Sequence, residues 1–334
     1  MTTAAMLSIG VTFDDPELEA AIREGLASVE LALKAATRSE DAFVDEVAGY
    51  LLDAGGKRFR PLLALLAAQF GFPDDEAVIM SAAVCELTHL ATLYHDDVMD
   101  SATVRRGATA ANERWTNSVA ILTGDYLFAQ ASHLLADLGP DAVRIQARTF
   151  ERLVVGQIRE TVGPKDGVDP IDHYLAVLAD KTGSLIATAA EFGAMFAGVD
   201  PDVVDALRAY GEQVGIAFQL SDDIIDIASE TGQSGKTPGT DLREGVQTLP
   251  VLYALRSDDP ATDRLRELVS RPITDDAEHA EALRLLRSSA ALDEARETVL
   301  SYADAARAAL GALPDVPAKV ALQALTDHVV ERSG

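Results

Sequence analysis

The chain has 334 residues, 48% of them hydrophobic and only 5% aromatic, with Ala and Leu dominant and a formal net charge of −26. That inventory favours helices over sheets. Without a basic face it excludes a nucleic-acid partner and charge-driven adhesion to an anionic membrane.

Residues 1–13 lack the basic start of a signal peptide, and no apolar run approaches the ~20 residues of a membrane span. Cys85 is the only cysteine, so no disulfide can close within the chain. A reducing, cytoplasmic location is expected. Apolar residues at helical spacing predict a first helix over 17–36, opened by Asp14-Asp15-Pro16. A second, over 41–54, stops at Gly55-Gly56, and Pro61 opens an apolar third that reaches Phe70. A fourth runs over 75–99. Further helical patterns cover 117–137, 140–161, 170–197, 201–229, 247–256, 260–270, 277–288, 290–311 and 316–331. Loops fall at 163–167 and at Asp200-Pro201. Residues 230–241 are rich in Gly, Thr and Ser without apolar periodicity, the pattern of a mobile lid. No internal repeat or linker interrupts the chain, so one all-α domain over 1–334 is expected.

Two acidic clusters stand out. Asp96-Asp97-Val98-Met99-Asp100 closes an apolar helix, and the i, i+4 spacing sets Asp96 and Asp100 side by side, about 6 Å apart along the axis. Paired carboxylates with room for water suit Mg²⁺, although a solvated helix end would look the same. Asp222-Asp223-Ile224-Ile225-Asp226 repeats the spacing inside a strongly apolar helix, where burial without a counter-charge is costly. Solvation does not explain that second cluster. Together the two could face one another across a helical cavity and hold a diphosphate through metal ions.

The cations are concentrated too. Lys57, Arg58 and Arg60 lie between Gly55-Gly56 and Pro61, where glycines let the backbone approach a ligand and a helix start favours anions. Arg105-Arg106-Gly107 follows Asp100 by five residues. His89 precedes Asp96 by two turns on one face, placed to donate to a phosphate or to rest as a satisfied core residue. Lys181-Thr182-Gly183 and Gly235-Lys236 are weak signals alone.

In order along the chain, GGKRFRP at 55–61, HDDVMD at 95–100, RRG at 105–107, KTG at 181–183, FQLSDDIID at 218–226 and GKTPGTDLREG at 235–245 resemble the motifs of the trans-isoprenyl diphosphate synthases. The likeness spans about residues 45–255. It implies a bundle of mostly antiparallel helices around a deep central cavity, working as a homodimer with Mg²⁺, three ions when substrate is bound. It further implies that Gly56, Lys57, Arg60, His89 and Arg106 bind isopentenyl diphosphate. Asp96, Asp100 and Asp222 would bind metal, and Arg105, Lys181, Thr182, Gln219 and Lys236 would contact the allylic diphosphate. Loss of pyrophosphate would leave an allylic cation, steadied by Thr182 and Gln219 and attacked by the isopentenyl double bond, with released pyrophosphate as the base. One departure is that Glu244-Gly245-Val246 stands where many short-chain members carry a second lysine.

Product length is read from the helix before Asp96. Ala91 and Thr92, then Thr88, then Val84 and Cys85 lie one, two and three turns back, all small or slender over roughly 18 Å. The Ala-Thr pair resembles the long-chain members and implies a C30–C50 polyprenyl product. A geranylgeranyl or farnesyl synthase is the nearest alternative, and close helix packing is the other reason for small residues here. A class I terpene cyclase would need no second diphosphate pocket, and a non-catalytic helical subunit need not keep both Asp clusters.

Overall fold

Several helices start where a short acid caps them. In the computed structural model, Asp15 accepts from the backbone N–H groups of Glu17 and Leu18 to open α1 (Pro16–Thr37). Asp41 does the same for α2 (Ala42–Asp53), and Asp75 for α4 (Glu76–Met99). Such caps satisfy orphan helix donors and are worth about 1 kcal/mol each. The structure describes residues 13–229 and 238–332, and over them the all-α reading holds, with sixteen α-helices and one short hairpin.

The described chain gathers into two compact units. The first comprises Met1–Glu151, Leu185–Gly211 and Ala312–Ala324. Its buried stripe on α1 runs Leu18, Ile22, Leu26, Val29, Leu33, the i+4, i+3 spacing of one helix face. Helix α3 (Phe59–Ala68) is buried at nine positions of ten, each large apolar side chain contributing about 1.5–3 kcal/mol. Helix α4 alone among the described helices has the length and apolarity to cross a membrane, contrary to the expectation from sequence. Most of its apolar stretch is buried inside the protein, against α1, α3 and α6 (Asn117–Leu138), so it serves as the core helix of this unit.

Between α4 and α5 (Ala111–Arg114), strands β1 (Val104–Arg105) and β2 (Ala108–Thr109) pair antiparallel. No sequence pattern predicted them. Arg106 and Gly107 form the two-residue turn, both at positive φ, 52° and 76°, the backbone a twisted hairpin of this length requires.

The second unit comprises Arg152–Ser184, Glu212–Gly311 and Leu325–Gly334. Its core draws Ile216, Leu220, Ile224 and Ile227 from α10 (Pro201–Ala228), with Ile171 and Leu178 from α8 (Pro170–Leu178) and Ala295 and Val299 from α15 (Ala290–Leu310). The helix predicted over 170–197 is not continuous. A π-helical turn, Ala179–Gly183, separates α8 from α9 (Ser184–Phe196), and it carries Lys181 and Thr182. Pro61 likewise falls inside the first turn of α3 rather than opening it.

Candidate active site

Acids at a helix C-terminus face the negative end of the helix dipole. Helix α4 has no basic residue in its last turn, yet ends in Asp96, Asp97 and the C-cap Asp100. Asp97 is fully buried and turned inward, accepting from Arg105 Nε at 2.6 Å and from the Ala111 backbone N–H at 3.2 Å. It thereby ties the hairpin and α5 to the end of α4. Asp96 is half-buried and Asp100 exposed, with Arg105 Nη2 3.8 Å from Asp100 Oδ2. Arg105 thus bridges two of the three acids. His95 anchors the same turn against α6, its ring 3.0 Å from the Ile121 carbonyl and over Gly124, where any Cβ would strike it at 2.3 Å.

Behind this helix end lies an enclave of cations. Arg58, at φ 53°, donates to Glu30 and Glu86 and to the carbonyls of Leu52 and Gly55. Arg106 donates to the carbonyls of Leu51, at 2.8 Å, and Gly55, capping the end of α2. Glu86, 2% exposed, is the buried acid beneath them, 3.2 Å from Arg58 and 3.7 Å from Arg106. Gly56, at φ 151°, brings its backbone against both guanidinium groups; an added Cβ would meet Arg58 Nη1 at 2.7 Å and Arg106 Cζ at 3.0 Å.

Arg60 behaves differently. Its Nε is buried without a hydrogen-bond partner, and burial pulls the guanidinium below the usual arginine range, with Glu86 opposing. Burial, and then the fields of Arg60, Arg106, Arg105 and Arg58, hold the His89 imidazole well below the usual histidine range. His89 is therefore neutral near pH 7 and can donate a hydrogen bond without adding charge. Gly56, Arg60, His89, Arg105 and Arg106 are thus brought together, and Lys57 is exposed beside them. In a chain of charge −26, this gathering is a local concentration of positive charge.

The second cluster repeats the device inside the other unit. Helix α10 also has no base in its last turn. Asp223, 7% exposed, turns inward, accepting from Tyr174 Oη and from Gln219 Nε2 at 3.1 Å. Burial pushes its carboxyl up to about 7, and burial next to Asp223 raises the Tyr174 phenol well above its usual range. Asp226 Oδ2 accepts from the Asp241 backbone N–H at 3.4 Å, at the start of α11 (Thr240–Glu244). Asp222 pairs with Arg332 at 2.5 Å.

The π-helical turn is clamped from two sides. Asp180 takes Arg152 Nε at 2.9 Å and Arg159 Nη1 at 2.7 Å, while Arg152 also reaches Glu212 at 2.6 Å. Lys181 pairs with Glu160 at 2.5 Å. Gly156 of α7 (Pro140–Val162) lies so close that a Cβ would meet the Lys181 backbone N at 2.9 Å, and Gly183 lies against Ile216 and Glu212 of α10. Lys181, Thr182, Gln219 and Asp222 are therefore all set on or around α10. Lys236 and residues 230–237 of the expected lid lie outside the described residues.

Among the described residues, no three acid, His or Cys side chains converge as a closed metal cage. Mg²⁺ needs few protein ligands, since it keeps waters and substrate phosphates in its shell. Asp222 already takes a cation, the Arg332 guanidinium, and Asp96 and Asp100 offer hard oxygens at the end of α4, with Arg105 3.8 Å from Asp100. The donor set fits the ion.

Along α4, Ala91, Thr88, Val84 and Cys85 are fully buried and Thr92 half-buried. Thr88 Oγ1 donates to the Val84 carbonyl and accepts from Gln146 Nε2, both at 2.8 Å. The Ala91 carbonyl faces Gly124 of α6.

Sequence reasoning missed the inward acids Asp97 and Asp223, the buried Glu86, and the clamp on Asp180. Glu86 alone left a trace, a single acid in the apolar stretch between Glu76 and Asp96, three residues before His89.

Residues 41–286 match the model of the polyprenyl synthetase family. Over 335 aligned residues the chain is 53% identical to a nonaprenyl diphosphate synthase of Mycobacterium tuberculosis, covering all of both chains. It is 43% identical to a dimethylallyltranstransferase of the same organism, covering 96% of this chain and 98% of the relative. A crystal structure of geranylgeranyl pyrophosphate synthase from Corynebacterium glutamicum, complexed with calcium and isoprenyl diphosphate, superposes with TM-score 0.89 at 51% identity, covering 97% and 100% of the two chains. With its ordered motifs, its cation enclave and its paired Asp clusters, this chain belongs to the polyprenyl synthetase family.

Proposed function

We propose that the protein elongates an allylic diphosphate with isopentenyl diphosphate to an all-trans polyprenyl diphosphate of C30–C50. The observation that carries this reading is the arginine enclave around neutral His89, beside a helix end that carries Asp96 and Asp100. Arg60, Arg106, His89, Lys57 and the Gly56 backbone hold the diphosphate of isopentenyl diphosphate. Asp96, Asp100 and Asp222 hold Mg²⁺, which when bound neutralises charge on the departing pyrophosphate. Lys181 and Arg105 supply cations that lower the barrier by steadying the developing charge on that leaving group, the role the family motifs also give Lys236. Thr182 and Gln219 present oxygens to the allylic cation, Gln219 being oriented by the hydrogen bond its Nε2 donates to Asp223.

Small side chains along α4 support the long product, as does likeness to a nonaprenyl synthase. Likeness to a geranylgeranyl synthase keeps a C20 product as the second reading. Ala91→Phe separates them, since added volume in a packed wall is not easily absorbed. It should shorten the product while leaving the first condensation near the wild-type rate; an unchanged product distribution would remove residue 91 from the path. A homodimer is supported by exposed apolar residues on α6 and α7, namely Ile121, Leu122, Val143, Phe150, Val154 and Ile158, because solitary proteins rarely expose many. The buried Cys85 accords with a reducing cytoplasm.

Arg60→Ala tests the pocket directly. The loss of one charged phosphate contact should raise KM for isopentenyl diphosphate about 30- to 150-fold, with little change for the allylic primer. Equal effects on both substrates would show that Arg60 does not distinguish them.

A further inference from the structure

Asp222 pairs with a residue that none of the motifs includes. Arg332 follows the last turn of α16 (Pro317–Glu331), its backbone N–H still donating to the His328 carbonyl at 3.2 Å. Its Nη2 lies 2.5 Å from Asp222 Oδ1, and its guanidinium carbon sits 5.0 Å from the centre of the Phe218 ring. Phe218 and Asp222 are i, i+4 on α10, so one helix face offers Arg332 both an aromatic platform and a carboxylate. The other two acids of the cluster are engaged elsewhere, Asp223 by Tyr174 and Gln219 and Asp226 by a backbone N–H.

We propose that Arg332 is the resident counter-ion of Asp222, a positioning residue that holds this carboxylate ready and competes with the divalent metal for it. The proposal rests on the reading of Asp222 as a metal ligand. Asp222, Asp223 and Asp226 crowd three carboxyl groups onto little more than one turn of α10, where charged ones repel each other, and a guanidinium cannot relieve its own charge by losing a proton. Arg332 therefore stabilises the cluster only while no metal is present. A divalent ion at Asp222 meets a like charge at short range, and the guanidinium must swing off for the ion to bind at full strength. Metal loading and release of the chain end are then linked, and the coupling is reciprocal. In the metal-free protein the pair keeps Asp222 in one rotamer, so the ligand need not be ordered when the ion arrives.

The test uses the full chain and Mn²⁺ without diphosphate, with free Mn²⁺ read by its electron paramagnetic resonance signal. Arg332→Gln keeps size and hydrogen bonding while removing charge. It should tighten Mn²⁺ binding about three- to tenfold, the range expected for a partly exposed ion pair, whereas Arg332→Lys should stay near wild type. In chelator, Arg332→Gln should also melt lower than wild type, the gap closing at saturating Mn²⁺. Asp222→Asn provides the control, because in that background Arg332→Gln should change nothing. If Asp222→Asn weakens Mn²⁺ binding but Arg332→Gln leaves it unchanged or weaker, the metal reading stands and the counter-ion proposal is overturned. If Asp222→Asn itself does not weaken Mn²⁺ binding, the metal reading fails and the proposal falls with it.

Discussion

The two Asp-rich helix ends share a spacing and differ in what they do with the acid in the middle. Asp97 is fully buried against a permanent cation, Arg105, at 2.6 Å. Asp223 is nearly as buried but meets only a phenol and an amide, and burial pushes it up to about 7. The outer acids reverse the pattern, since Asp100 is exposed with Arg105 at 3.8 Å while Asp222 is in full contact with Arg332. In both, the middle acid secures local structure and an outer acid is presented outward. The contrast teaches that one repeated motif can be built with a charged anchor or a neutral one, and that the anchor decides how each end responds to pH and to metal.

The comparison breaks first at the outer acids. Asp96→Asn and Asp222→Asn should each lower kcat about 100- to 1,000-fold at saturating Mg²⁺, the usual loss when one group stabilising transition-state charge is removed. Steady-state rates with both substrates check this, and a variant that keeps wild-type turnover would make its cluster dispensable. The inner acids should part company in stability. Asp97→Ala removes the buried acceptor of Arg105 and of the Ala111 N–H and should cost about 2–3 kcal/mol. Asp223→Asn at pH 6, where the wild-type carboxyl is already largely protonated, should cost about 1 kcal/mol or less. Urea denaturation midpoints would decide, and equal losses would show the anchors to be alike.

The smallest effect is on pH, and its sign differs between the two regions. Asp223 has a folded pKa raised above its unfolded value of 3.8. Its contribution is fully present below that unfolded value and fades as pH rises through about 7. His89 has a folded pKa depressed below 6.5, so its contribution is present above 6.5 and fades as pH falls. In chelator, Asp223→Asn should flatten the alkaline limb of the thermal profile and His89→Gln the acid limb. If both variants flattened the same limb, one of the two assignments would have the wrong sign.

Helix positions were legible because period and caps are local. Asp15, Asp41 and Asp75 all open helices where the chain pattern changes. The hairpin was not legible, since Arg106-Gly107 reads as a basic patch and its two-residue strands are too short to show alternation. The π-helical turn at Ala179–Gly183 was equally silent, because its cause is distant in sequence: Gly156 and Arg152 press on it and tie it down. For the candidate site, residue types and spacing pointed to Arg60, His89 and the outer acids. They gave Asp97 no role, because only packing against Ala111 and Arg105 shows that carboxylate turned inward. Arg332 was invisible for the same reason, lying 110 residues from the acid it neutralises.

Sizing the products formed from isopentenyl diphosphate and farnesyl diphosphate, with Mg²⁺ and again with chelator, tests the central claim most directly. All-trans C30–C50 diphosphates should accumulate with the metal, and none without it. Growth in the presence of chelator would contradict the role given to the Asp clusters, and growth that stops at C20 would contradict the long product.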